Sequence, residues 1–336
     1  MPINVNSDMG EMPFRIQVQI VTFNSEECID RCIQSVLQQS YPATSCLVID
    51  NASSDSTISI IEAYSNILVV SLERNVGYAA AHNLGFSQAV QDGVDLVLTL
   101  NPDVELDSKY LERCIRVFCD DTVGGVIGKL IRSRTLNTNT AILDSTGLVK
   151  GSLYHAKDRG SGEADMSQYD RLRNVWGICG ASAFYRVDML KDIAAPHGRA
   201  LEESFFVYKE DVELCWRAND RGWRFKYEPE AIAYHDRGWK PRESPFSRLA
   251  SEHSLANQFA ILIRHGSAFS LVLWLSIVVE SVRLGVMALK HPSSAKIVLS
   301  LITSQFRHHV TFRREWKKSG RMSKERHHDL DRYCHL

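Results

Sequence analysis

Short apolar runs alternate with amphipathic stretches over the first hundred residues of this chain. Four of the runs have the length and bounding turn residues of buried strands, namely residues 16–23, 46–49, 67–72 and 94–100. Between them, residues 26–39, 55–64 and 77–91 have helix length and amphipathic character, which predicts helices. This β-α-β-α-β-α-β order predicts a mostly parallel sheet with right-handed crossovers and flanking helices.

The pattern changes in the second part of the chain. It predicts helices at residues 108–119 and 211–220 and strands at residues 123–131, 180–187, 224–227 and 231–235. Residues 132–174 are polar and irregular, and a segment of that length inside an enzyme is usually a mobile lid or disordered. From residue 246 onward the chain is predicted to be helical. We therefore expect an N-terminal tail (1–15), an α/β domain (16–240) and a helical extension (241–336).

An uncharged apolar stretch, residues 266–279, lies in the helical extension. Fourteen residues are too few to span a bilayer, which takes about 20. Extension to residue 289 reaches that length but includes Glu280 and Arg283, which are three apart on a helix and could pair. We expect a helix that lies in the membrane interface or packs on another helix, with a spanning helix as the alternative.

The charge distribution adds to this picture. The formal net charge of the 336-residue chain is −1, so no overall field attracts nucleic acid and no nucleic-acid partner is expected. Residues 301–336 carry nine Lys or Arg against four Asp or Glu, a net charge of +5. That segment is either a solvated, partly frayed helix or a region attracted to anionic lipid headgroups.

The eight cysteines are scattered without a CxxC pair, and the N-terminus has neither the basic nor the apolar region of a signal peptide. This combination predicts reduced thiols and a cytoplasmic protein. Together with the apolar stretch and the basic end, it predicts a peripheral protein on the cytoplasmic face of the inner membrane.

The triplet Asn101-Pro102-Asp103 directly follows the fourth predicted strand. Open α/β sheets bind ligands at the carboxyl ends of their strands. A carboxylate placed there either caps the following turn or holds a divalent cation that a diphosphate shares, because Mg²⁺ and Mn²⁺ take oxygen ligands and often only one or two protein carboxylates.

The turn after the second strand and the turn before the third helix carry further candidates. Asp50 ends a buried strand and could accept hydrogen bonds from a pyrimidine base or ribose, or it could only form the turn. Asp55 is expected to cap the next helix. Gly77, followed by small residues, would let backbone approach a ligand at a helix N-terminus, which favours an anion.

Two later motifs add ionisable groups. Glu210 and Asp211 stand where a short helix begins, and one of them could be a general base for an acceptor hydroxyl, although acidic residues also stabilise a helix N-terminus. His235 ends an apolar strand, where a histidine is either a structural residue or, beside a metal-binding carboxylate, a ligand. Neither a GxGxxG motif nor a P-loop is present, which argues against a dinucleotide-binding site and an NTPase.

Taken in order, these pieces resemble the inverting family 2 glycosyltransferases of the GT-A fold, and in particular the bacterial rhamnosyltransferase branch of O-antigen and surface-polysaccharide biosynthesis. The resemblance covers roughly residues 16–240. The segments that carry it are VTFNSEECIDRCIQSVLQQSYP, VIDNASSDST, NVGYAAAHNLG, LTLNPDVEL, VWGICGASAFYRVDML, FFVYKEDVELCWRANDRGWR and AIAYHDRG. Two positions depart from the family pattern: Asn101 replaces the first Asp of a DxD triplet, and His82 stands where Asn or Gly is frequent.

The resemblance implies a role for each matched position. Asp211 would be the catalytic base with Glu210 as its neighbour. Asp103 and His235 would bind a divalent cation, Mg²⁺ or Mn²⁺. The donor would be bound by Thr22, Asn24, Asp50, Asn75, Gly77 and Asn101, and the acceptor by Trp176, Gly180 and Ala181.

The resemblance also implies the substrates. The donor would be a nucleotide sugar, with dTDP-L-rhamnose as the first choice, and the acceptor a polyprenyl-diphosphate-linked saccharide at the membrane surface. The alternatives are a family 2 transferase with a UDP-sugar donor and a non-catalytic sugar-nucleotide-binding scaffold. A nucleotidyltransferase would have a Gly-, Arg- and Lys-rich first turn, which VTFNSEE lacks.

Overall fold

The computed structural model describes residues 14–132, 141–194, 198–236 and 245–319, with the side chains of 245–247 left out. The basic residues from 320 onward and residues 133–140 of the polar segment lie outside these ranges. All of the candidate site residues fall within them.

The described chain contains a large sheet, a small two-stranded sheet and nine helices. The strands are β1 (Ile16–Thr22), β2 (Ser45–Asp50), β3 (Leu68–Ser71), β4 (Leu96–Leu100), β5 (Val104–Leu106), β6 (Val123–Arg132), β7 (Leu143–Ser145), β8 (Leu148–Lys150), β9 (Ala156–Asp158), β10 (Asn174–Val175), β11 (Ser182–Arg186) and β12 (Arg224–His235). The helices are α1 (Ile29–Leu37), α2 (Thr57–Glu62), α3 (Tyr78–Gln91), α4 (Tyr110–Val117), α5 (Val187–Ile193), α6 (Glu210–Asp220), α7 (Pro245–His265), α8 (Leu271–Lys290) and α9 (Pro292–Lys318).

The large sheet has the strand order β10-β12-β6-β11-β4-β1-β2-β3. Strands β1, β2, β3 and β4 pair in parallel, as do β6 and β12, whereas β11 runs antiparallel between β4 and β6. The predicted mostly parallel sheet with flanking helices is confirmed. Its strand order changes direction at β1, between β2 and β4, which is where doubly wound sheets bind ligands.

Burial explains why these segments form these elements. Every residue of β1 is buried, because helices cover both faces of the sheet there. In α1, the buried residues Ile29, Cys32, Ile33 and Val36 repeat every three or four positions and pack on the sheet. By contrast, the four residues of β3 are exposed, as expected of the strand at the sheet edge.

Two predictions for the second part of the chain were wrong in detail. The segments 224–227 and 231–235 form one strand, β12, whose register shifts between Glu228 and Ile232. The polar segment 132–174 is not irregular where it is described, because β7, β8 and β9 lie in it. These strands are three residues long, too short to give a period in the sequence.

The predicted helical extension consists of α7, α8 and α9, and it packs on the α/β domain through buried charges. Glu213 of α6 is fully buried and accepts hydrogen bonds from Arg217 (2.8 Å), from Arg264 of α7 (2.9 Å) and from His265 (3.1 Å). Arg264 also pairs with Glu202 at 2.5 Å. Because these charges are buried as pairs, separation of the extension from the domain would break the pairs of Arg264 with Glu213 and Glu202.

Among the described residues, α8 is the helix that is long and apolar enough to cross a membrane. Length and composition alone support this, and helices inside soluble proteins can meet the same criteria. The predicted pair on this helix is present, since Arg283 Nη1 lies 3.0 Å from Glu280 Oε2.

We predict that Glu213→Gln lowers the free energy of unfolding by about 3–5 kcal/mol, because it leaves the buried Arg217 and Arg264 guanidinium groups without their shared carboxylate. Urea unfolding followed by circular dichroism measures the change. Arg116→Gln is the matched control, since it breaks an exposed pair with Glu112 and should cost about 1 kcal/mol or less. Equal losses in both variants would contradict a stabilising role for the buried network.

Candidate functional site

The candidate site lies at the carboxyl edge of the parallel strands. Strands β1, β2 and β4 end at Thr22, Asp50 and Leu100, and their register places these three ends side by side. The turns that follow carry most of the residues predicted for the donor. The sheet therefore brings together side chains that are up to eighty residues apart in the sequence.

The first two turns are tied to each other by hydrogen bonds. Both carboxylate oxygens of Asp50 accept from Ser53, one from its backbone N–H (2.9 Å) and one from its hydroxyl (2.5 Å). Asn24 has a left-handed backbone, and its Oδ1 accepts from the N–H of Ser54 at 2.8 Å. Asp50 thus forms the turn, the structural role that the sequence left open. The buried hydroxyl of Thr22 has no hydrogen-bond partner in the described part of the chain.

Asn75 and Gly77 shape the entry to α3. The Asn75 side chain accepts from the N–H of Gly77 at 2.9 Å, and Gly77 has a φ of 88°. The N–H groups of Tyr78 and Ala79, which would have bound an anion, donate to the carbonyl of Phe206 at 2.7 and 3.4 Å.

A Cβ on Gly77 would lie 2.5 Å from the Phe206 ring and 2.7 Å from its carbonyl oxygen. The close approach predicted at this glycine is therefore made by Phe206, a residue that the sequence did not single out. Asp55 contributes to its turn as expected, since it accepts from the N–H of Thr57, the first residue of α2, at 3.0 Å.

Asp103 and His235 lie together, as expected for residues that share a metal ion. His235 Nε2 is 3.4 Å from Asp103 Oδ1, and His235 Nδ1 donates to Asp144 Oδ2 at 2.7 Å. Asp144 belongs to β7 and is buried. It fixes the imidazole so that Nε2 faces Asp103, which is the arrangement of a metal-binding histidine oriented by a carboxylate.

The electrostatics of this group favour a cation. Burial alone would lower the pKa of His235, but the hydrogen bonds and charges of Asp103 and Asp144 outweigh it and raise the pKa to about 9. Two carboxylates thus hold a positive charge at Nε2 in the absence of a metal. The same two carboxylates would attract a divalent cation, so the donor set fits Mg²⁺ or Mn²⁺ with Asp103 and His235 as ligands.

Glu210 is buried and Asp211 is half-buried at the start of α6, where the helix dipole favours negative charge. They point to different partners. Asp211 accepts from the N–H of Gly180 (2.9 Å) and of Val212 (2.7 Å), whereas Glu210 Oε2 has no hydrogen-bond partner among the described residues. The negative charge of the pair is therefore better supported on Asp211.

The pKa values of the two carboxyl groups agree with that division. Burial, followed by the charge of Asp211, raises the pKa of Glu210 to about 8. Burial also raises the pKa of Asp211, but its two backbone hydrogen bonds act in the opposite direction. The negative charge of the pair is therefore favoured on Asp211, and Glu210 is the carboxyl group that retains a proton more readily.

The residues predicted for the acceptor lie beside this pair. Gly180 donates to Asp211, and the neighbouring Ala181 accepts from the N–H of Asn101 at 2.9 Å. These adjacent residues link the catalytic pair to the triplet that contains Asp103. Trp176 packs edge-on against Trp216 of α6, with 5.3 Å between ring centroids.

A left-handed segment holds the catalytic pair in place, and the sequence gave no sign of it. Phe206, Tyr208 and Lys209 all have φ between 61° and 71°, a conformation that side chains rarely adopt. Buried Asn257 of α7 donates its side-chain N–H groups to the carbonyls of Phe205 (2.9 Å), Val207 (3.1 Å) and Tyr208 (2.7 Å). The helical extension thus fixes the segment that leads to Glu210.

His82, whose place in the family pattern was unusual, lies in the core and away from solvent. Burial lowers the pKa of His82 to about 3, so the imidazole is neutral. Its Nδ1 lies 3.4 Å from Gln19 Oε1. Asp144 and Asn257 are the two residues of the site that sequence reasoning missed, because no motif surrounds either of them.

These geometries can be set beside known proteins. The sequence profile of Glycosyl transferase family 2 matches residues 17–194, more than half of the chain, and the chain therefore belongs to this family of glycosyltransferases. The predicted GT-A fold and enzyme class are confirmed.

Two curated relatives are similar over most of the chain. An N-acetylglucosaminyl-diphospho-decaprenol L-rhamnosyltransferase of Mycobacterium tuberculosis is 23% identical over 264 residues, which is 71% of this chain and 81% of that protein. The O-antigen chain rhamnosyltransferase RfbN of Salmonella typhimurium is 20% identical over 232 residues, 68% of each chain.

Two solved structures share the fold. The mannosyltransferase PcManGT of Pyrobaculum calidifontis, in complex with GDP-Man and Mn²⁺, matches with a TM-score of 0.52 and 16% identity over 90% of this chain and 85% of that one. GalNAc-T7 with UDP, GalNAc and Mn²⁺ matches with a TM-score of 0.56 and 14% identity over 76% of this chain and 48% of that one.

We predict that Asp144→Ala weakens Mn²⁺ binding roughly 10- to 100-fold, because His235 loses the group that orients it. Electron paramagnetic resonance of free Mn²⁺ measures the affinity in the absence of substrates. Asp188→Ala, which removes an exposed carboxylate of α5 that pairs with Lys191, should leave the affinity unchanged. An unchanged affinity in Asp144→Ala would contradict the assignment of His235 as a ligand.

Proposed function

We propose that this chain transfers L-rhamnose from dTDP-L-rhamnose to a polyprenyl-diphosphate-linked saccharide, with inversion, in the biosynthesis of O-antigen or another surface polysaccharide. The observation that carries the proposal is the link through Gly180 and Ala181, which connects Asp211, the proposed base, to the triplet containing Asp103. The relatives support the sugar, since two of them are rhamnosyltransferases, and one is named for a diphospho-decaprenol acceptor.

The chemistry follows from the division of charge at Glu210 and Asp211. Asp211, ionised and hydrogen-bonded to backbone, takes the proton from the acceptor hydroxyl. That oxygen attacks the anomeric carbon on the face opposite the nucleotide, the bond to the diphosphate breaks, and the configuration inverts. One base is enough, in contrast to the two carboxylates of a retaining glycosidase.

Asp103 and His235 are the residues that would hold a divalent cation, Mg²⁺ or Mn²⁺, and Asp144 would orient His235. The cation would stabilise the charge that develops on the leaving nucleoside diphosphate. The presence of Mn²⁺ in the PcManGT and GalNAc-T7 structures supports this cofactor.

The residues assigned to the donor are Thr22, Asn24, Asp50, Asn75, Gly77 and Asn101. Among these, the buried Thr22 hydroxyl is without a hydrogen-bond partner in the described part of the chain. Asp50, Asn24 and Asn75 are engaged with neighbouring backbone, so they shape the pocket through their turns. Trp176, Gly180 and Ala181 are assigned to the acceptor side.

The proposed place of action is the cytoplasmic face of the inner membrane, where the protein would be peripheral. The exposed apolar side chains of α8 and the net positive charge of residues 301–336 support attachment to a membrane surface.

Asp211→Asn should lower kcat roughly 10²- to 10⁴-fold while the affinity for dTDP stays unchanged, because only the proton acceptor is removed. Release of dTDP in the presence of acceptor measures the rate. In the wild type, kcat should fall as the pH drops through the pKa of Asp211, which burial raises above that of a free Asp, because protonation removes the base. Full activity in Asp211→Asn would exclude it as the base.

The donor is tested by calorimetric binding of dTDP and UDP, each with and without Mn²⁺. We expect binding that favours dTDP and that needs the metal, because Asp103 and His235 contribute only a partial coordination shell. A preference for UDP would replace the donor and keep the mechanism. Absence of binding by both nucleotides would favour the non-catalytic scaffold.

A further inference from the structure

Helix α8 has two opposite faces. The face toward the protein contains buried Leu273, Ser276 and Glu280. The other face is apolar and exposed over its whole length, with the side chains Leu271, Val272, Trp274, Leu275, Val278, Val279, Val282, Val286 and Leu289, and Phe269 lies fully exposed just before the helix. A contiguous exposed apolar surface of this kind is typical of a site that contacts lipid or protein.

One edge of the apolar face carries positive charge. Arg283 and Lys290 are seven residues apart, so they lie along nearly the same line of the helix, about 10 Å apart. The Arg283 side chain is 54% exposed. This edge lies between the apolar face and the buried face of α8.

A buried carboxylate holds Arg283 in place. Glu280, whose side chain is fully buried, accepts from Arg283 Nη1 at 3.0 Å and from His155 Nε2 at 2.8 Å. His155 lies in the turn between β8 and β9, and its side chain is 32% exposed. Because one carboxylate orients both side chains, the remaining N–H groups of the Arg283 guanidinium stay partly open to solvent in a fixed position beside His155.

The Arg283–Glu280–His155 cluster lies near the left-handed segment that ends at Lys209. Burial lowers the pKa of Lys209, and the charges of Glu280, Arg283 and Asp211 all act on its ammonium, so the ammonium is near both the cluster and Asp211. Gln258 of α7 bonds to Lys209 Nζ at 2.8 Å and to the carbonyl of Tyr154 at 3.2 Å.

The cluster also adjoins the proposed acceptor side. Tyr154, the residue before His155, stacks on Trp216 with 5.5 Å between ring centroids, and Trp216 in turn contacts Trp176. The Lys150 ammonium lies 4.2 Å above the Trp216 ring. Positive charge therefore continues from the edge of α8 toward the tryptophan pair.

We propose that Arg283, held beside His155 by Glu280, binds the diphosphate group of a lipid-linked acceptor whose apolar chain lies along the exposed face of α8 at the membrane surface. This rests on the proposed function for the saccharide that the lipid carries. Such a substrate needs three kinds of contact, and the arrangement offers them in sequence. The apolar face of α8 would contact the chain, the Arg283 N–H groups would bind the diphosphate, and the aromatic side chains would contact the sugar. An anionic phospholipid headgroup would meet only the first two.

The test uses the full-length protein and prenyl probes without a sugar. Calorimetry below the micellar concentration compares farnesyl diphosphate with farnesol for the wild type and for Arg283→Gln. We expect Arg283→Gln to weaken farnesyl diphosphate about tenfold and to leave farnesol unchanged, because only the charge-assisted bonds are lost. Arg116→Gln removes an arginine from an exposed pair on α4 and should leave both probes unchanged.

Two further measurements distinguish a site for a prenyl diphosphate from a site for a phospholipid headgroup. Phosphatidylglycerol vesicles, added in competition, should displace farnesyl diphosphate weakly, and Val282→Asp on the apolar face should reduce the binding of both prenyl probes. Equal binding of farnesyl diphosphate by Arg283→Gln and the wild type would overturn the proposal. Strong displacement by the vesicles would overturn it in favour of a headgroup site.

The outcome is independent of the donor. If the protein fails to use dTDP-L-rhamnose but farnesyl diphosphate binding still depends on Arg283, the donor assignment fails and the acceptor site stands. If transfer from dTDP-L-rhamnose occurs and Arg283 has no effect on the probe, the function stands and the acceptor site fails.

Discussion

The position of the catalytic pair depends on the left-handed segment Phe206–Lys209. Three residues with positive φ are unfavourable by themselves, so the segment persists only because its backbone groups are bonded on two sides. The N-terminus of α3 donates to the Phe206 carbonyl, and Asn257 donates to the carbonyls around it. The free energy of these bonds keeps Glu210 and Asp211 at the edge of the sheet, facing Gly180.

This constraint means that the helical extension holds the position of Glu210 and Asp211 as well as stabilising the fold. Asn257 and Gln258 of α7 bond directly to the catalytic segment, and Arg264 joins α7 to Glu213 of α6. The buried charges would be costly if the extension separated from the domain, because each would lose its partner in a nonpolar environment. Helix α8, with its exposed apolar face, is thereby held at a fixed position relative to the base.

The site contains two ionisable clusters, His235 with its carboxylates and the pair Glu210 and Asp211, and hydrogen bonds control the charge of both. At His235, two carboxylates stabilise a positive charge despite burial, which prepares a place for a cation. At Glu210 and Asp211, burial and mutual repulsion raise the pKa of both carboxyl groups, and backbone N–H groups favour the ionised form on Asp211. In both cases the hydrogen bonds from neighbouring elements determine the function of the ionisable side chain.

The sequence by itself determined the parallel sheet, because buried strands and amphipathic helices leave local periods, as in β1 and α1. It also located Asp103, Asp211 and His235, since each stands next to an element end. Tertiary structure alone decided what holds them: Asp144 orients His235, and Asn257 bonds the segment that leads to Glu210, although no motif surrounds either residue. Packing between distant elements decided that Phe206 contacts Gly77 and that α8 exposes its apolar face. No local sequence pattern predicts either result.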